Sequence, residues 1–416
     1  MKILHISTSD RGGGAAIGAY RLVEAMRMGG IDAQMLVLHK QSDSTFVIPI
    51  SNYKRKWYKY YEPFIPLIGN FVRKLFLNYN TDFSCGVSCT KGILKIPVIK
   101  EADVIYIHWA QAGFININTI SRLASLGKPI FLYCHDMWYF TGGCNCAMDC
   151  NGWLDSCSCC SVIQRNFMKN YPKMVLNKKK NKWGKDNIGV IAPSHWIESC
   201  LRKSIVFKEA RIYRIPNTVN SNVFCVLNKV VCRKILGLPL NRKLVLFGAV
   251  AGTANPYKGW KYAKEAMLQL SNEADLVVFG NQVLDLPITA HSIGRLNDEY
   301  SLALLYNAVD VYISPTLAES FGQTIMESIS CGTKAVAFNV GGVPDIIDHK
   351  NTGYLAELKD VDDLIEGIRW SFYTNNEDVE RIRIHNIMKE RFSYPIVTEL
   401  HRNAIRIALH LGGGQN

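Results

Sequence analysis

No stretch of this chain reaches about 20 consecutive apolar residues, so nothing in it is long enough to span a bilayer as a helix. The opening MKILHISTSDRGGGAA has one Lys and only a brief apolar run, unlike a secretory signal. Low-complexity runs and short-period repeats are also missing, and glycine and proline are ordinary in amount. These absences predict a soluble or peripheral cytoplasmic protein. Acidic residues are in deficit, 35 against 48 Lys and Arg, for a formal charge of +13. That charge suits nucleic acid, acidic lipid or phosphorylated substrates equally well, so it excludes none of them.

The placing of residues is more informative than their totals. Basic residues crowd into Lys54 to Lys74 and Lys169 to Lys185. Six of the 13 cysteines fall between Cys144 and Cys160. In a chain without an export signal, such clustering favours a metal site over disulfides. Cys157-x-x-Cys160 has a metal-ligand spacing, and Cys144, Cys150, Cys157 and Cys160 together would close a structural zinc site, leaving Cys146 and Cys159 over. Unligated reduced thiols are the alternative.

At 416 residues the chain suits two domains, each with its own core. Met1 to Ser7 reads as a buried strand, and DRGGGAAIGAYRLVEAMRMGG as a glycine turn feeding a helix that stops at Gly29-Gly30. A second strand at Ala33 to Leu38 makes this the opening of a doubly wound α/β domain, whose ligands gather beyond the C-terminal strand ends. Gly12, Gly13 and Gly14 lie there. Without full G-x-G-x-x-G spacing, a tight strand-to-helix turn explains them equally well.

Residues 52–95 are aromatic and basic and look like an insertion. Strands resume at Val104 to His108 and Ile130 to Tyr133, the second ending at His135, either a polar cap or a sugar contact. A strand-helix unit follows at Ile188 to Arg202, and Pro216 with a shift of pattern marks a linker. Beyond it, strands are expected at Lys243 to Gly248, Asp275 to Phe279, His291 to Ile293, Val309 to Ile313 and Lys334 to Phe338, with helices between. Asp360-Val361-Asp362-Asp363 reads as a helix N-terminus rather than a metal-binding Asp-x-Asp. From Tyr394 to Leu411 apolar residues recur at helical spacing.

The chain appears organised around SPTLAESFGQTIMESISCGT, Ser314 to Thr333. An apolar strand enters a loop holding Glu319, and a helix beginning near Phe321-Gly322 carries Glu327 about a turn and a half in. The amides between them suit a phosphate, and a carboxylate further along suits the hydroxyls of an attached sugar. Acids at a helix start also complement its dipole, so an isolated pair would be weak. Lys258, in the loop after the second domain's first strand, is placed to supply a fixed cation to a leaving diphosphate.

This stretch, with Ile293-Gly294-Arg295 before it and GTKAVAFNVGGVPDIIDHKNTGYL after it, resembles the glutamate-x7-glutamate signature of retaining glycosyltransferases of family 4. The resemblance implies two facing doubly wound Rossmann-like domains of the GT-B type: residues 1–215 on the acceptor side, 216–393 binding the nucleotide sugar, and a closing helix at 394–416 returning to the first domain. By the same resemblance, Glu319 touches the transferred sugar and Glu327 the ribose. Phe321, Gly322, Gln323 and Thr324 line the donor site, the backbone around Arg295 faces the base, and His135 lies against the donor sugar. Gly13 and Gly14 face the diphosphate or the acceptor. No catalytic metal is expected. An arginine usual in the family some five residues before Lys258 is replaced by Thr253, and IPN-G-V-D reads IPNTVN here. HDMWYFTGGC followed by cysteines is similar to bacterial members that build surface polysaccharides, which implies a saccharide acceptor, lipid-linked or soluble, while the basic, aromatic stretch 54–76 suits either an anionic membrane surface or packing on the first domain. Two rivals stand beside this: a nucleotide-sugar epimerase of the same architecture, and a zinc-bearing nucleic-acid binder, which leaves the glutamate helix unexplained.

Overall fold

The structure is a computed structural model that describes all residues except 54–82, 85–91, 185, 249–254, 281–285, 374–376 and 413–416. The chain divides into two units, one of Met1–Pro216 with Val397–Asn416 and one of Asn217–Ile396.

The first unit is built on a seven-stranded sheet: β1 (Lys2–Ser9), β2 (Asp32–His39), β3 (Val47–Pro49), β4 (Val104–Ile107), β5 (Ile130–Tyr133), β6 (Ile188–Ala192) and β7 (Arg211–Arg214). Their order is β3-β2-β1-β4-β5-β6-β7 and every pairing is parallel. Strands such as β4, β5 and β6 are buried along their whole length, because helices cover a parallel sheet on both faces and both sides of each strand must be apolar. The helix Tyr394–Gly412 contributes Val397, Ala404 and Ile405 to one of these faces, alongside Ala19, Leu22 and Val23 of the helix Gly14–Met28. Spacings of seven and eight residues put its three on one helical stripe.

The second unit repeats the plan with β8 (Lys243–Gly248), β9 (Ala274–Phe279), β10 (Ala290–Gly294), β11 (Val311–Ser314), β12 (Ala335–Phe338) and β13 (Gly353–Ala356), ordered β10-β9-β8-β11-β12-β13 and again all parallel. Strand order reverses between β1 and β4 in one unit and between β8 and β11 in the other. At such a switch point the connections leave in opposite directions and open a crevice at the carboxyl ends of the strands, which is where doubly wound sheets bind ligands.

Structure and expectation differ at the sheet edges. β3, β7 and β13 are three- and four-residue strands that the sequence pattern does not announce, and β7 lies just before the linker marked by Pro216. Val309 and Asp310 stand outside β11, where the Asp310 carboxylate accepts the Leu244 N–H at 2.7 Å and the Arg233 guanidinium at 2.7 Å.

Candidate active site

In the second unit, Lys258 follows β8 and Glu319 follows β11, so both leave the sheet at its switch point. The Lys258 Nζ donates to Glu319 Oε2 at 2.9 Å. The neighbouring carboxylate raises the lysine's pKa above its ordinary value, so Lys258 is a cation throughout the neutral range. Backbone contacts hold the two loops together. Leu317 donates its N–H to the Tyr257 carbonyl at 2.8 Å, and Gly342 donates its own to the Glu319 carbonyl at 2.9 Å. Gly259, beside the lysine, has φ +71° and a Cβ there would lie 1.7 Å from the Pro315 carbonyl oxygen, so only glycine permits this approach.

The helix after Glu319 runs Gln323–Ser330 and starts from Gly322, whose φ of +113° suits glycine and whose lack of a side chain leaves the helix without a side-chain cap. The first-turn amides are the groups that an anion would satisfy. Glu327 is 3% exposed, and its Oε2 accepts the Tyr306 hydroxyl at 3.1 Å. Burial, then the nearby carboxylate, push the Tyr306 pKa well up, which keeps the phenol a donor. Thr324 is bonded through its hydroxyl to Tyr312 at 2.9 Å. The Phe321 side chain is buried and edge-on to Phe392, so a contact from that position to a ligand belongs to its backbone. Gly294 ends β10 and Arg295 beyond it is exposed. Thr253 lies outside the described residues. Asp360 caps the helix Val361–Phe372 by accepting the Asp363 N–H at 3.0 Å.

In the first unit, Gly13 caps the helix Gly14–Met28, and a Cβ at Gly13 or Gly14 would meet nothing within 4 Å, so the turn is open on that side. His135 follows β5 and joins a line of buried rings. His5 Nδ1 lies 2.9 Å from His108 Nε2, and His108 Nδ1 lies 2.9 Å from His135 Nε2. His135 also stacks on Tyr133 at 4.3 Å. A lone histidine at the end of one strand was legible in sequence; its two partners were not, although His5 lies on β1 and His108 just past the end of β4, the two strands flanking the switch point. Lys179, in the basic run 169–185, is fully buried rather than solvated. It donates to the Trp138 and Thr141 carbonyls, lies 3.8 Å over the Trp138 ring, and its pKa falls to about 7 through burial. It therefore ties down the turn that follows His135.

In the cysteine loop, Cys144, Cys150, Cys157 and Cys160 are free thiols. Burial and then neighbouring thiols raise Cys144 to about 12, and burial raises Cys157 to about 11. No three His, Cys, Asp or Glu side chains are arranged to hold a metal among the described residues. The expected tetrahedral set is thus not formed by the side chains as they stand. The aromatic, basic stretch at 54–76 lies outside the described residues, and no described helix is long and apolar enough to cross a membrane.

Residues 232–386 match the family model for glycosyl transferases group 1. That match falls within the second unit. A D-inositol 3-phosphate glycosyltransferase of Xylanimonas cellulosilytica is 31% identical over 170 residues, covering 36% of this chain and 40% of the relative. The chain thus matches about two fifths of that relative's length. Across the whole chain the likeness is one of fold. Sucrose-phosphate synthase from Thermosynechococcus elongatus superposes with a TM-score of 0.63 at 16% identity, covering 99% of this chain and 100% of the synthase. Anabaena HepE in complex with UDP-glucose gives 0.62 at 15% identity, covering 99% of each chain. The architecture is that of the GT-B glycosyltransferases.

Proposed function

We propose that this glycosyltransferase moves a sugar, with retention of anomeric configuration, from a nucleotide sugar to a saccharide acceptor, lipid-linked, in the assembly of a surface polysaccharide. The observation that carries the reading is the meeting of Lys258, Glu319 and the uncapped helix start at one switch point, with Glu327 buried behind them. Cleaving a glycosyl diphosphate leaves negative charge on the phosphate and positive charge on the anomeric carbon. Lys258 and the helix amides meet the first charge without reorganising, because their positions are set by the fold. Glu319 orients the sugar through its hydroxyls, and Glu327 holds the ribose.

Neither carboxylate forms a covalent bond in this scheme. The acceptor attacks from the face the leaving group departs, and the departing phosphate takes its proton. Structural zinc in the cysteine loop, which the thiols would bind as thiolates, belongs to the same proposal and takes no part in the chemistry. The test is a thermal-shift panel of UDP-, GDP- and ADP-sugars, since a ligand bound only by the fold raises its stability, followed by product analysis with the nucleotide sugar that scores. Transfer to added saccharide supports the reading. A new sugar isomer formed without acceptor would make the protein an epimerase, and no stabilisation by any nucleotide sugar would remove the donor site.

A further inference from the structure

The three histidines, His5 on β1, His108 just past β4 and His135 just past β5, are joined head to tail across adjacent strands by two nitrogen–nitrogen contacts of 2.9 Å. Burial keeps all three neutral at neutral pH. A neutral imidazole carries one proton, and each contact needs one donor and one acceptor. The two contacts therefore couple the rings: either all three are protonated on Nδ1 or all three on Nε2. The states differ only at the ends of the row. At the inner end, His5 Nε2 is buried with no hydrogen-bond partner among the described residues. At the outer end, His135 is half-buried, and its Nε2, not its Nδ1, is the atom that meets His108. With Nε2 protonated, the row would bury an N–H that has no acceptor. With Nδ1 protonated, it buries only an idle lone pair, the lesser fault, since orphaned buried N–H groups are the rarer in folded proteins.

We infer that His108, backed by His5, is a positioning residue that fixes the tautomer of His135, so that His135 presents Nδ1–H as a hydrogen-bond donor to an oxygen of the bound sugar. This deepens the proposed function and rests on the placing of His135 against the donor sugar that the family resemblance implies. It also assigns a limit. The only lone pair on the neutral His135 ring is taken by His108 Nδ1–H, so His135 cannot act as the base that accepts the acceptor's proton. Tyr106, Tyr133 and His401 pack around the row, with Tyr106 stacked on His5 at 4.8 Å, Tyr133 on His108 at 5.2 Å, and the Tyr106 hydroxyl 3.2 Å from His401 Nδ1. Rings on both sides hold the imidazoles in plane with one another and block the flips that would reverse the row.

The test is a two-bond proton–nitrogen correlation spectrum of the full chain labelled with 15N-histidine, assigned with single histidine variants. The expected spectrum shows His135 protonated at Nδ1 and bare at Nε2. A wild-type spectrum with His135 protonated at Nε2 would overturn the inference without any variant needing to fold. His108→Phe should return His135 to the Nε2-protonated form and lower kcat roughly ten-fold, the loss of about one hydrogen bond. His108→Asn, whose amide can donate from the position of Nδ1, should restore both. An Asn variant as slow as Phe, or a Phe variant with the His135 tautomer unchanged, would show that His108 only fills space. Full transfer activity in His135→Ala, beside the expected spectrum, would instead remove the sugar contact and leave the tautomer assignment standing.

Discussion

Lys258 and Glu319, 61 residues apart in sequence, form an ion pair of 2.9 Å across the loops that leave β8 and β11. In the free protein each group holds the other in place. In the proposed function the same two charges would face opposite ends of the breaking bond once the donor is bound.

Their removal should separate activity from stability. Lys258→Ala and Glu319→Ala are each expected to lower kcat/KM by at least about ten-fold, or about 1.4 kcal/mol in the barrier. Because the side chains are 37% and 22% exposed, the pair itself should contribute no more than about 1 kcal/mol to folding. Steady-state kinetics beside urea unfolding measures both. Wild-type transfer in either variant would withdraw that residue from the site.

Tyr306 and Glu327 make the opposite case, a buried contact. Tyr306→Phe removes one hydroxyl from a carboxylate that water hardly reaches, and should destabilise the protein by about 1.5–3 kcal/mol, a usual range for hydrogen bonds to charged groups. Glu327→Ala should lower turnover efficiency about ten-fold while the chain still folds. A Tyr306→Phe protein with an unchanged urea midpoint would show that the hydroxyl does not support Glu327.

The sheet strands of both units were legible because their apolar runs are continuous and punctuated by glycine; Ile130–Tyr133 and Lys243–Gly248 coincide with expectation to the residue. The helix start at Gly322 was legible from glycine between two acids. What could not be read is contact that depends on strand order. His5 meets His108 only because β1 lies beside β4 rather than at the sheet edge, and Tyr306 meets Glu327 only because consecutive helices pack side by side. β3, β7 and β13 escaped for a different reason: they lie at the sheet edges, and their segments VIP, RIYR and GYLA carry proline, charge or glycine where the central strands are continuously apolar.

Metal dependence should divide in two. On the proposed role of Lys258 and the helix amides at the leaving phosphate, transfer in a brief assay with excess EDTA should continue at its ordinary rate. Freshly reduced, active protein should nonetheless hold about one zinc per chain, lost on long chelation with a fall in stability. Elemental analysis finding no zinc would leave the cysteine loop a set of free thiols. Activity abolished at once by EDTA and restored by magnesium or manganese would require a donor site built around a cation.

Membrane attachment is expected from KRKWYKYYEPFIPLIGNFVRKLF, residues 54–76, where basic ends flank an aromatic middle and Pro63 and Pro66 interrupt a single long helix. Such a segment suits the headgroup layer, each cation adding about 1 kcal/mol against anionic lipid. Flotation with phosphatidylserine or phosphatidylglycerol vesicles should show binding that weakens with salt and on neutralising Lys54, Arg55, Lys56, Arg73 and Lys74. Binding indifferent to those substitutions would place the attachment elsewhere or deny it.

The buried histidines make acid stability a measure of the first unit's core. Burial lowers His5, His135 and His401 to about 3 and His108 well below its ordinary value. In the unfolded chain the same residues titrate near about 6.5. Between those values the unfolded chain binds protons that the fold refuses, so the stabilisation is fully present above about pH 6.5 and is lost as pH falls toward the folded values. Each histidine adds a slope of up to about 1.4 kcal/mol per pH unit inside that window. From pH 7 to 5.5 most carboxylates stay ionised, which isolates the histidine contribution. Urea midpoints should drop steeply from about pH 6.5 downward with little change in m, while any slope above pH 7 belongs to other buried groups such as Lys179, whose folded value of about 7 lies below its unfolded one. His401→Asn, which keeps a polar group toward the Tyr106 hydroxyl but cannot take a proton, should make that drop shallower. A midpoint that stays level down to pH 5.5 would mean that the rings accept protons within the fold, and that the row of neutral imidazoles behind His135 does not exist in solution.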